Sequence, residues 1–324
     1  MKFISNLQKI ALVLFLSLGA NACNNDDDNE IILETNSIAD FVANNPDYSS
    51  LNAALEAADL KIVLDGNTKF TVFAPNNAAF SAFLSTNGFA NLNAVPVNVL
   101  TQVLLNHVQA GVIKAADLST GYIESSATGA ASDEKLSMYI DTEDGVRING
   151  VSSVTTADIM VDNGVIHAVN SVIGLPDITT FALADPNFEI LFLALTADDS
   201  FNFVSILQTQ TSPAPFTVFA PTNEVFADFL TEFNFASLDV IPDDILESVL
   251  SYHVITGANV RSEDITDGMI ATTFEGGEFT INAGTSVTIT DENSRVSTVT
   301  ATDVQATNGV IHVIDKVLFP NLED

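Results

Sequence analysis

Hydrophobic residues recur at two different spacings in two long stretches of this chain. Early in each stretch they follow the three-to-four-residue period of an amphipathic helix. Examples are Ile38, Phe41 and Val42 in the first stretch and Phe188, Leu191 and Leu195 in the second. Later in each stretch apolar and polar residues alternate, as in half-buried strands. Examples are Leu136, Met138 and Ile140, then Phe279 and Ile281. Helices followed by strands predict an α+β fold for each stretch.

The two stretches are copies of one unit. TVFAPNNAAF (71–80) returns as TVFAPTNEVF (217–226), and NGVIHAVNSVI (163–173) returns as NGVIHVIDKVL (308–318). The boxes keep their order, and the two copies of each box lie almost the same distance apart along the chain. Such units are too long and too few for a solenoid, so we interpret them as two self-sufficient domains.

Glycine-containing pairs separate the predicted strands. Asp144 with Gly145, Gly276 with Gly277, and the Asn-Gly pairs at 163–164 and 308–309 supply the positive φ that tight hairpins need. The sheets are therefore expected to be largely antiparallel. The last predicted strand, 310–319, is apolar on both faces, which is typical of a central or covered strand.

The repeat sets the predicted domain boundaries. Residues 37–175 form the first domain, 176–320 the second, and 321–324 a C-terminal tail. No Gly/Ser-rich linker joins the domains, which indicates restricted relative motion. Each copy has a full set of boxes, so we expect each to fold on its own.

Residues 1–22 have the features of a signal peptide. Lys2 and Lys9 give a positive start, and residues 10–20 are almost wholly apolar but shorter than the roughly 20 residues that a membrane span needs. Small residues then precede Cys23, the single cysteine. The segment resembles a bacterial lipoprotein signal, in which that cysteine becomes the acylated first residue. Cys23 is therefore the predicted lipidation site, and the lipid is the predicted contact with the membrane.

An acidic stretch follows the cysteine. Residues 23–36 include NNDDDNE (24–30), which cannot bury a core and should act as a disordered tether. A similar run in Bacteroidetes-like lipoproteins directs export to the outer face, which predicts an outer-membrane, cell-surface location. The alternative is a plain solvated spacer.

The charge limits what the chain can bind. The formal net charge is −32, and nucleic-acid binding needs basic patches that release counterions, so we predict no nucleic-acid partner. An anionic lipid surface would also repel this protein. Cationic or metal-bridged partners fit better, although such a surface also serves solubility alone. Asp141, Glu143, Asp144 and Gly145 lack EF-hand spacing, so we predict a turn there, no metal site and no cofactor.

All four histidines fall in the repeated boxes, His107 and His253 at one position and His167 and His312 at another. Each is flanked by apolar residues, so we predict hydrogen-bonded structural histidines in place of metal or catalytic ones. No common nucleophile, zinc, redox or nucleotide-binding motif is present in the sequence, and no catalytic residue is predicted. The alternative is a Ser, His, Asp group assembled from distant positions.

The boxes TVFAPTNEVF and NGVIHVIDKVLFP, with Tyr252 and His253 between them, resemble the signature of the fasciclin domain. The resemblance covers nearly everything after residue 37. It implies a compact β-wedge or sandwich decorated by helices, in extracellular adhesion and matrix proteins. In some members the Tyr-His pair is implicated in receptor contact, so the resemblance makes Tyr252 and His253 candidate partner-binding residues. The first copy departs from this pattern, because Asn106 precedes His107.

Two functional classes remain. One is a non-catalytic adhesion or protein-interaction module whose partner is an extracellular or envelope protein, and the other binds an envelope polysaccharide or matrix polymer. Sugar sites commonly use exposed Trp or Tyr platforms, yet the chain has no Trp and 4 Tyr. The composition therefore favours protein interaction.

Overall fold

Each repeat begins with helices and continues into strands, as the hydrophobic pattern predicts. The structure is a computed structural model and describes residues 36–322. The predicted signal peptide, Cys23 and nearly all of the predicted tether lie outside the described residues, as do residues 323–324.

The elements of the first repeat are as follows. Its helices are α1 (Ile38–Asn44), α2 (Ser49–Ala57), α3 (Lys61–Asp65), α4 (Asn77–Thr86) and α5 (Val97–Leu105). Its strands are β1 (Phe70–Pro75), β2 (Val108–Ala110), β3 (Gly121–Thr128), β4 (Lys135–Asp141), β5 (Arg147–Ile148), β6 (Ser152–Val161) and β7 (Gly164–Val169).

The second repeat has the same succession of elements. Its helices are α6 (Ile178–Ala184), α7 (Glu189–Leu195), α8 (Phe203–Leu207), α9 (Asn223–Glu232) and α10 (Asp243–Tyr252). Its strands are β8 (Phe216–Pro221), β9 (Val254–Thr256), β10 (Met269–Thr272), β11 (Glu278–Asn282), β12 (Thr288–Thr290), β13 (Val296–Ala306) and β14 (Gly309–Ile314). Short 3-10 turns lie at Pro46–Tyr48, Leu92–Ala94, Ala115–Asp117, Pro186–Phe188, Leu238–Val240 and Ser262–Asp264.

Each repeat forms one 7-stranded sheet. The strand order is β2-β1-β7-β6-β5-β4-β3 in the first and β10-β11-β12-β13-β14-β8-β9 in the second. All neighbouring strands are antiparallel except β1 with β7 and β8 with β14, which are parallel. The predicted α+β class with largely antiparallel sheets is thus confirmed.

The first sheet folds over on itself. Phe73 on β1 and Met138 and Ile140 on β4 belong to one buried cluster, although four steps of the strand order separate these two strands. The other face of β1 and β7 packs against α1, α2 and α5. The apolar core therefore lies in two layers, one inside the folded sheet and one beneath the helices.

The last strand is covered on both faces, as predicted, but it is shorter. Five of its residues are buried and Val313 is half-buried, while its predicted extension to residue 319 is wrong because β14 ends at Ile314. The Asp315 side chain accepts a hydrogen bond from the Thr298 N–H (2.6 Å), and the chain then leaves the sheet.

The glycines of the NGVIH boxes are required by close packing. Gly145 and Gly276 adopt the positive φ expected of them, 90° and 114°. The predicted positive φ is absent at Gly309. Glycine is needed at 164 and 309 because a Cβ there would lie 2.0 Å from the Phe70 carbonyl oxygen and 2.3 Å from that of Phe216. These glycines let the parallel strand pair approach closely.

The asparagines of the same boxes fasten the first helix of each repeat. The Asn163 Oδ1 accepts a hydrogen bond from the Ile38 N–H (2.8 Å), and the Asn308 Oδ1 accepts one from the Ile178 N–H (3.1 Å). Each Nδ2 donates to two carbonyl oxygens, one within the last turn of the third helix and one just after that helix. Each asparagine thus joins three segments distant in sequence.

The two repeats share a buried junction within the compact unit that begins at residue 35. The Thr307 carbonyl accepts hydrogen bonds from the N–H groups of Ala130 and Ala131 (3.0 and 2.9 Å). Tyr139, on β4 of the first repeat, lies in the core cluster of the second. These contacts agree with the restricted motion inferred from the short connection, while independent folding of each repeat stays a prediction.

In the part of the chain that the structure describes, no single helix is long and apolar enough to cross a membrane. Two consecutive helical segments, Ile178–Ala184 and Pro186–Leu195, are together long and apolar enough to do so, but a bend of 99° separates them.

Candidate functional site

The Tyr-His position of the second repeat lies where α10 ends and the chain turns into β9. Tyr252 is the last residue of the helix and His253 is its C-cap. In the first repeat Asn106 is the C-cap of α5 and His107 follows it. A helix end leaves carbonyl groups without intrahelical partners, and the histidine side chain satisfies one of them in each repeat.

His253 and His107 make the same two hydrogen bonds. The Nδ1–H of His253 donates to the Val249 carbonyl (2.6 Å), and its Nε2 accepts from the Leu318 N–H (2.9 Å). His107 pairs likewise with the Val103 carbonyl (2.7 Å) and the Ile173 N–H (2.9 Å). A ring nitrogen that accepts from an N–H must be unprotonated, so both imidazoles are neutral. Burial lowers the pKa of each from 6.5 to about 4.

Tyr252 is fully buried and its polar end is satisfied. Its hydroxyl donates to the Glu278 carbonyl (2.7 Å) and accepts from the Glu292 N–H (3.2 Å). Its ring packs edge-on against Phe279, with the centroids 5.8 Å apart. Desolvation raises the pKa of this hydroxyl. Tyr252 therefore joins α10 to β11 and to the loop between β12 and β13.

Neither candidate contact residue reaches the surface. Tyr252 is 0% exposed and His253 is 4% exposed. Direct contact with a partner through these two side chains would require the end of α10 to separate from β11 and from residue 318. Their role in partner binding stays a prediction, and the hydrogen bonds account for both residues without it.

In the first repeat, the Asn106 amide contacts the segment after β7 and not the strands that Tyr252 joins in the second. Its Nδ2 donates to the Gly174 carbonyl (2.9 Å), and its Oδ1 is buried with no hydrogen-bond partner among the described residues. The two helix ends therefore share the histidine and differ in the preceding side chain.

His167 and His312 occupy the second repeated position, on β7 and β14. The Nε2–H of His167 donates to the Ile113 carbonyl (2.9 Å), and that of His312 to the Val260 carbonyl (2.8 Å). Each Nδ1 accepts from a backbone N–H, that of Asp158 (3.2 Å) or Asp303 (3.4 Å). Burial lowers the pKa of His312. These contacts support the structural role predicted for the histidines, which stays a prediction.

The acidic string considered for metal binding lies in the turn between β4 and β5. The Asp141 Oδ1 accepts from the Glu143 N–H (2.9 Å), and Gly145 has a positive φ. Within residues 36–322, no cluster of three or more His, Cys, Asp or Glu side chains has the geometry to hold a metal ion.

The junction between the repeats holds polar contacts that sequence reasoning missed. The Tyr122 hydroxyl donates to the Asp185 carboxylate across the junction (3.0 Å), and the Ser137 hydroxyl oxygen accepts from the Gln305 N–H (3.0 Å). Burial raises the pKa of Tyr122 above that of an exposed tyrosine, and the Asp185 charge adds to the effect. No motif marks these residues, because each pair joins positions far apart in sequence.

Comparison with known proteins places both repeats in one family. The sequence model of the fasciclin domain matches residues 46–176 and 187–320. Protein sll1483 of Synechocystis sp. is 37% identical over 139 residues, which cover 42% of this chain and 72% of that protein. Human periostin is 27% identical over 294 residues, which cover 88% of this chain and 31% of periostin.

A solved structure has the same fold. It is a FAS1 domain pair from the insect cell adhesion molecule fasciclin I, and it aligns with a TM-score of 0.51 at 19% identity. The alignment covers 83% of this chain and 97% of that chain. Because the sequence model of the fasciclin domain matches both repeats over most of their length, this chain belongs to the fasciclin domain family and contains two such domains.

Proposed function

We propose that this protein is a non-catalytic adhesion or protein-interaction lipoprotein at the cell surface, and that its fasciclin domains bind an extracellular or envelope protein. The observation that carries the proposal is the pair of fasciclin domains, the arrangement found in an insect cell adhesion molecule. Fold does not fix function, so the chemistry of the site residues also matters.

The histidines support a binding role over a catalytic one. All four are buried, and both ring nitrogens of each are engaged by backbone groups. A general base needs a free nitrogen within reach of a substrate proton. The histidines of this chain lack such a nitrogen in the described arrangement.

The tyrosines favour a protein partner over a polysaccharide. Tyr48, Tyr139 and Tyr252 are buried, and Tyr122 is half-buried against Phe181 and Asp185. None of the four therefore presents the open aromatic platform on which sugar sites commonly rely. The net charge of −32 favours a partner surface that is cationic, because complementary charge speeds encounter and suppresses wrong partners.

Attachment to treated cells tests the proposal. Beads carrying the mature chain are applied to intact cells, to cells treated with protease and to cells treated with periodate, with an unrelated protein of similar negative charge as the control. We expect protease to abolish attachment and periodate to leave it. Loss of attachment after periodate treatment alone would support polysaccharide binding. Equal attachment of the control protein would show that negative charge alone accounts for the attachment.

The anchor is tested separately, with the same chain carrying Cys23→Ala. We propose that acylation of Cys23 holds the protein at the outer membrane, because a lone cysteine follows an apolar segment and small residues. Metabolic labelling with a fatty-acid analogue should mark the wild type and not the variant, which should appear in the soluble fraction. Equal labelling of both would contradict the proposal.

A further inference from the structure

An aromatic pair fills the space beyond the end of α9 in the second repeat. Phe233, the C-cap of α9, stacks on Phe319 with ring centroids 4.6 Å apart and planes at 25°. Phe229 packs against both rings. We name Phe233 and Phe319 the aromatic plug.

The backbone around Phe319 is held by side chains of the loop between β12 and β13. The Asn293 Nδ2 donates to the carbonyls of Phe319 and Pro320 (both 2.9 Å). The Arg295 Nη1 donates to the Val317 carbonyl (2.9 Å), and its guanidinium lies 5.3 Å from the centre of the Phe233 ring. The second repeat thus binds its own segment through one aromatic ring and several carbonyls.

The first repeat lacks both rings of the plug. Gly174 corresponds to Phe319, because the preceding residues Ile173 and Leu318 make the same hydrogen bond to His107 and His253 (2.9 Å each). Asn87 is the C-cap of α4 and corresponds to Phe233. A Cβ placed on Gly174 would have nothing within 4 Å.

An open groove lies where the plug would be. It has a volume of about 560 Å³. Its apolar walls come from Phe83, Phe89, Val99, Val172 and Leu175. We name it the first-repeat groove.

One wall of the first-repeat groove contains a buried donor without a partner. Asn149, in the loop between β5 and β6, is 3% exposed and lines the groove. Its Oδ1 accepts from the Tyr139 N–H (2.7 Å), which fixes the orientation of the amide. Its Nδ2 has no hydrogen-bond partner among the described residues. Leaving a buried N–H unpaired costs stability. In the corresponding loop of the second repeat, the Asn293 Nδ2 donates to two peptide carbonyls.

We propose that the first-repeat groove binds an extended segment of a partner protein that inserts an aromatic side chain beside Gly174 and offers a backbone carbonyl to the Asn149 Nδ2. The plug of the second repeat shows which chemistry fits this site of the fold: a phenyl ring followed by a proline, with carbonyls facing a side-chain amide. The inference rests on the proposed function, since it names the class of segment that the protein partner supplies.

A dipeptide with the sequence of Phe319 and Pro320 tests the groove. Acetyl-Phe-Pro-amide is titrated into the full mature chain, ¹⁵N-labelled and carrying Cys23→Ala, and amide resonances are followed by NMR. We expect saturable shifts at Gly174 and at the side-chain amide of Asn149. The affinity for acetyl-Ala-Pro-amide should be lower by roughly tenfold or more, because this probe buries no ring. Equal binding of the two probes, or shifts confined to other residues, would overturn the inference.

A double variant supplies the matched control. Asn87→Phe with Gly174→Phe copies the plug into the first repeat, where the space at Gly174 admits a side chain. The affinity of this variant for acetyl-Phe-Pro-amide should fall by roughly tenfold or more. Its melting temperature should not fall. If this variant fails to fold, Phe233→Asn with Phe319→Gly serves instead, because it should open a second groove and double the number of probes bound.

The remaining outcomes separate this inference from the proposed function. If the beads attach in a protease-sensitive way but the probe does not bind, the first-repeat groove is not the binding site and the proposed function still stands. Probe binding that the double variant retains would place the site elsewhere. Self-association of the wild type that the double variant abolishes would identify a second copy as the occupant and overturn the assignment to another protein.

Discussion

The first and second repeats place their shared residues in the same contacts. Asn163 and Asn308 fasten the first helices, and the Thr71 and Thr217 hydroxyls each bridge a carbonyl and an N–H of the segment after β2 or β9. The four histidines form two matching pairs. Each of these side chains joins backbone groups distant in sequence, and such a bond needs a particular donor or acceptor at a particular point.

The repeats differ where side chains fill space. Tyr252 is replaced by Asn106, and the aromatic plug of Phe233 and Phe319 by Asn87 and Gly174. An apolar volume can be filled, left open or filled by another molecule without changing the strand order. The backbone-fastening residues are therefore the ones that the two repeats share, while the space-filling residues differ and give the two repeats different surfaces.

The largest expected effect tests whether the box glycines of the two repeats are equivalent. Gly309→Ala and Gly164→Ala should each destabilise the protein by roughly 3 kcal/mol or more, because each new methyl group would collide with a backbone carbonyl that cannot move aside cheaply. Urea unfolding measures the loss. The matched control is Gly174→Ala, where a Cβ has open space and stability should hardly change. A mild effect at one of the two box glycines alone would break the equivalence of the repeats.

A second test uses pH and compares His107 with His253. The pKa of each is lowered to about 4 in the folded protein, chiefly by burial, from 6.5. As the pH falls from 6.5 toward 4, the unfolded chain takes up a proton at each site and the folded chain does not. The stability is therefore present above pH 6.5 and is lost toward pH 4, by up to about 3 kcal/mol for each histidine.

His107→Gln and His253→Gln isolate this contribution from that of the 42 Asp and Glu side chains. Each variant should show a shallower loss of stability between pH 7 and about 4.5 than the wild type, by roughly 2–3 kcal/mol. The two slopes should match, because both rings have the same partners. Unaltered pH dependence in either variant would mean that its histidine is solvated and protonated in the folded state.

Much of the fold could be predicted from the sequence because the boxes are duplicated. The helical first half, the alternating strands and the covered last strand all leave a local pattern in the order of residues. The burial of Tyr252 also has a local signal in the sequence, because this residue shares a helix face with Ile245 and Val249. Local periodicity is sufficient wherever a residue packs with its neighbours along the chain.

The other features depend on contacts that leave no periodic pattern. The need for glycine at 164 and 309 arises from carbonyls of β1 and β8, and Tyr139 enters the core of the other repeat. The first-repeat groove did have a signal, because aligning the boxes sets Gly174 against Phe319 and Asn87 against Phe233. That signal lies in a difference between the copies, whereas the repeat itself is evident from their similarity.

The smallest expected effect concerns the position at which the helix ends differ most, Tyr252 against Asn106. Tyr252→Phe keeps the ring against Phe279 and removes a hydroxyl that donates to the Glu278 carbonyl and accepts from the Glu292 N–H. The variant should lose about 1 kcal/mol of stability, the usual contribution of a neutral hydrogen bond. Calorimetry on the purified mature chain measures it. Attachment to cells, measured well below the melting temperature, should remain at the wild-type level, because the hydroxyl is not accessible to a partner.

If Tyr252 is instead a contact residue, the variant would melt like the wild type and attach more weakly. The end of α10 would then have to open during binding, which the first repeat, with Asn106 at this position, could not reproduce.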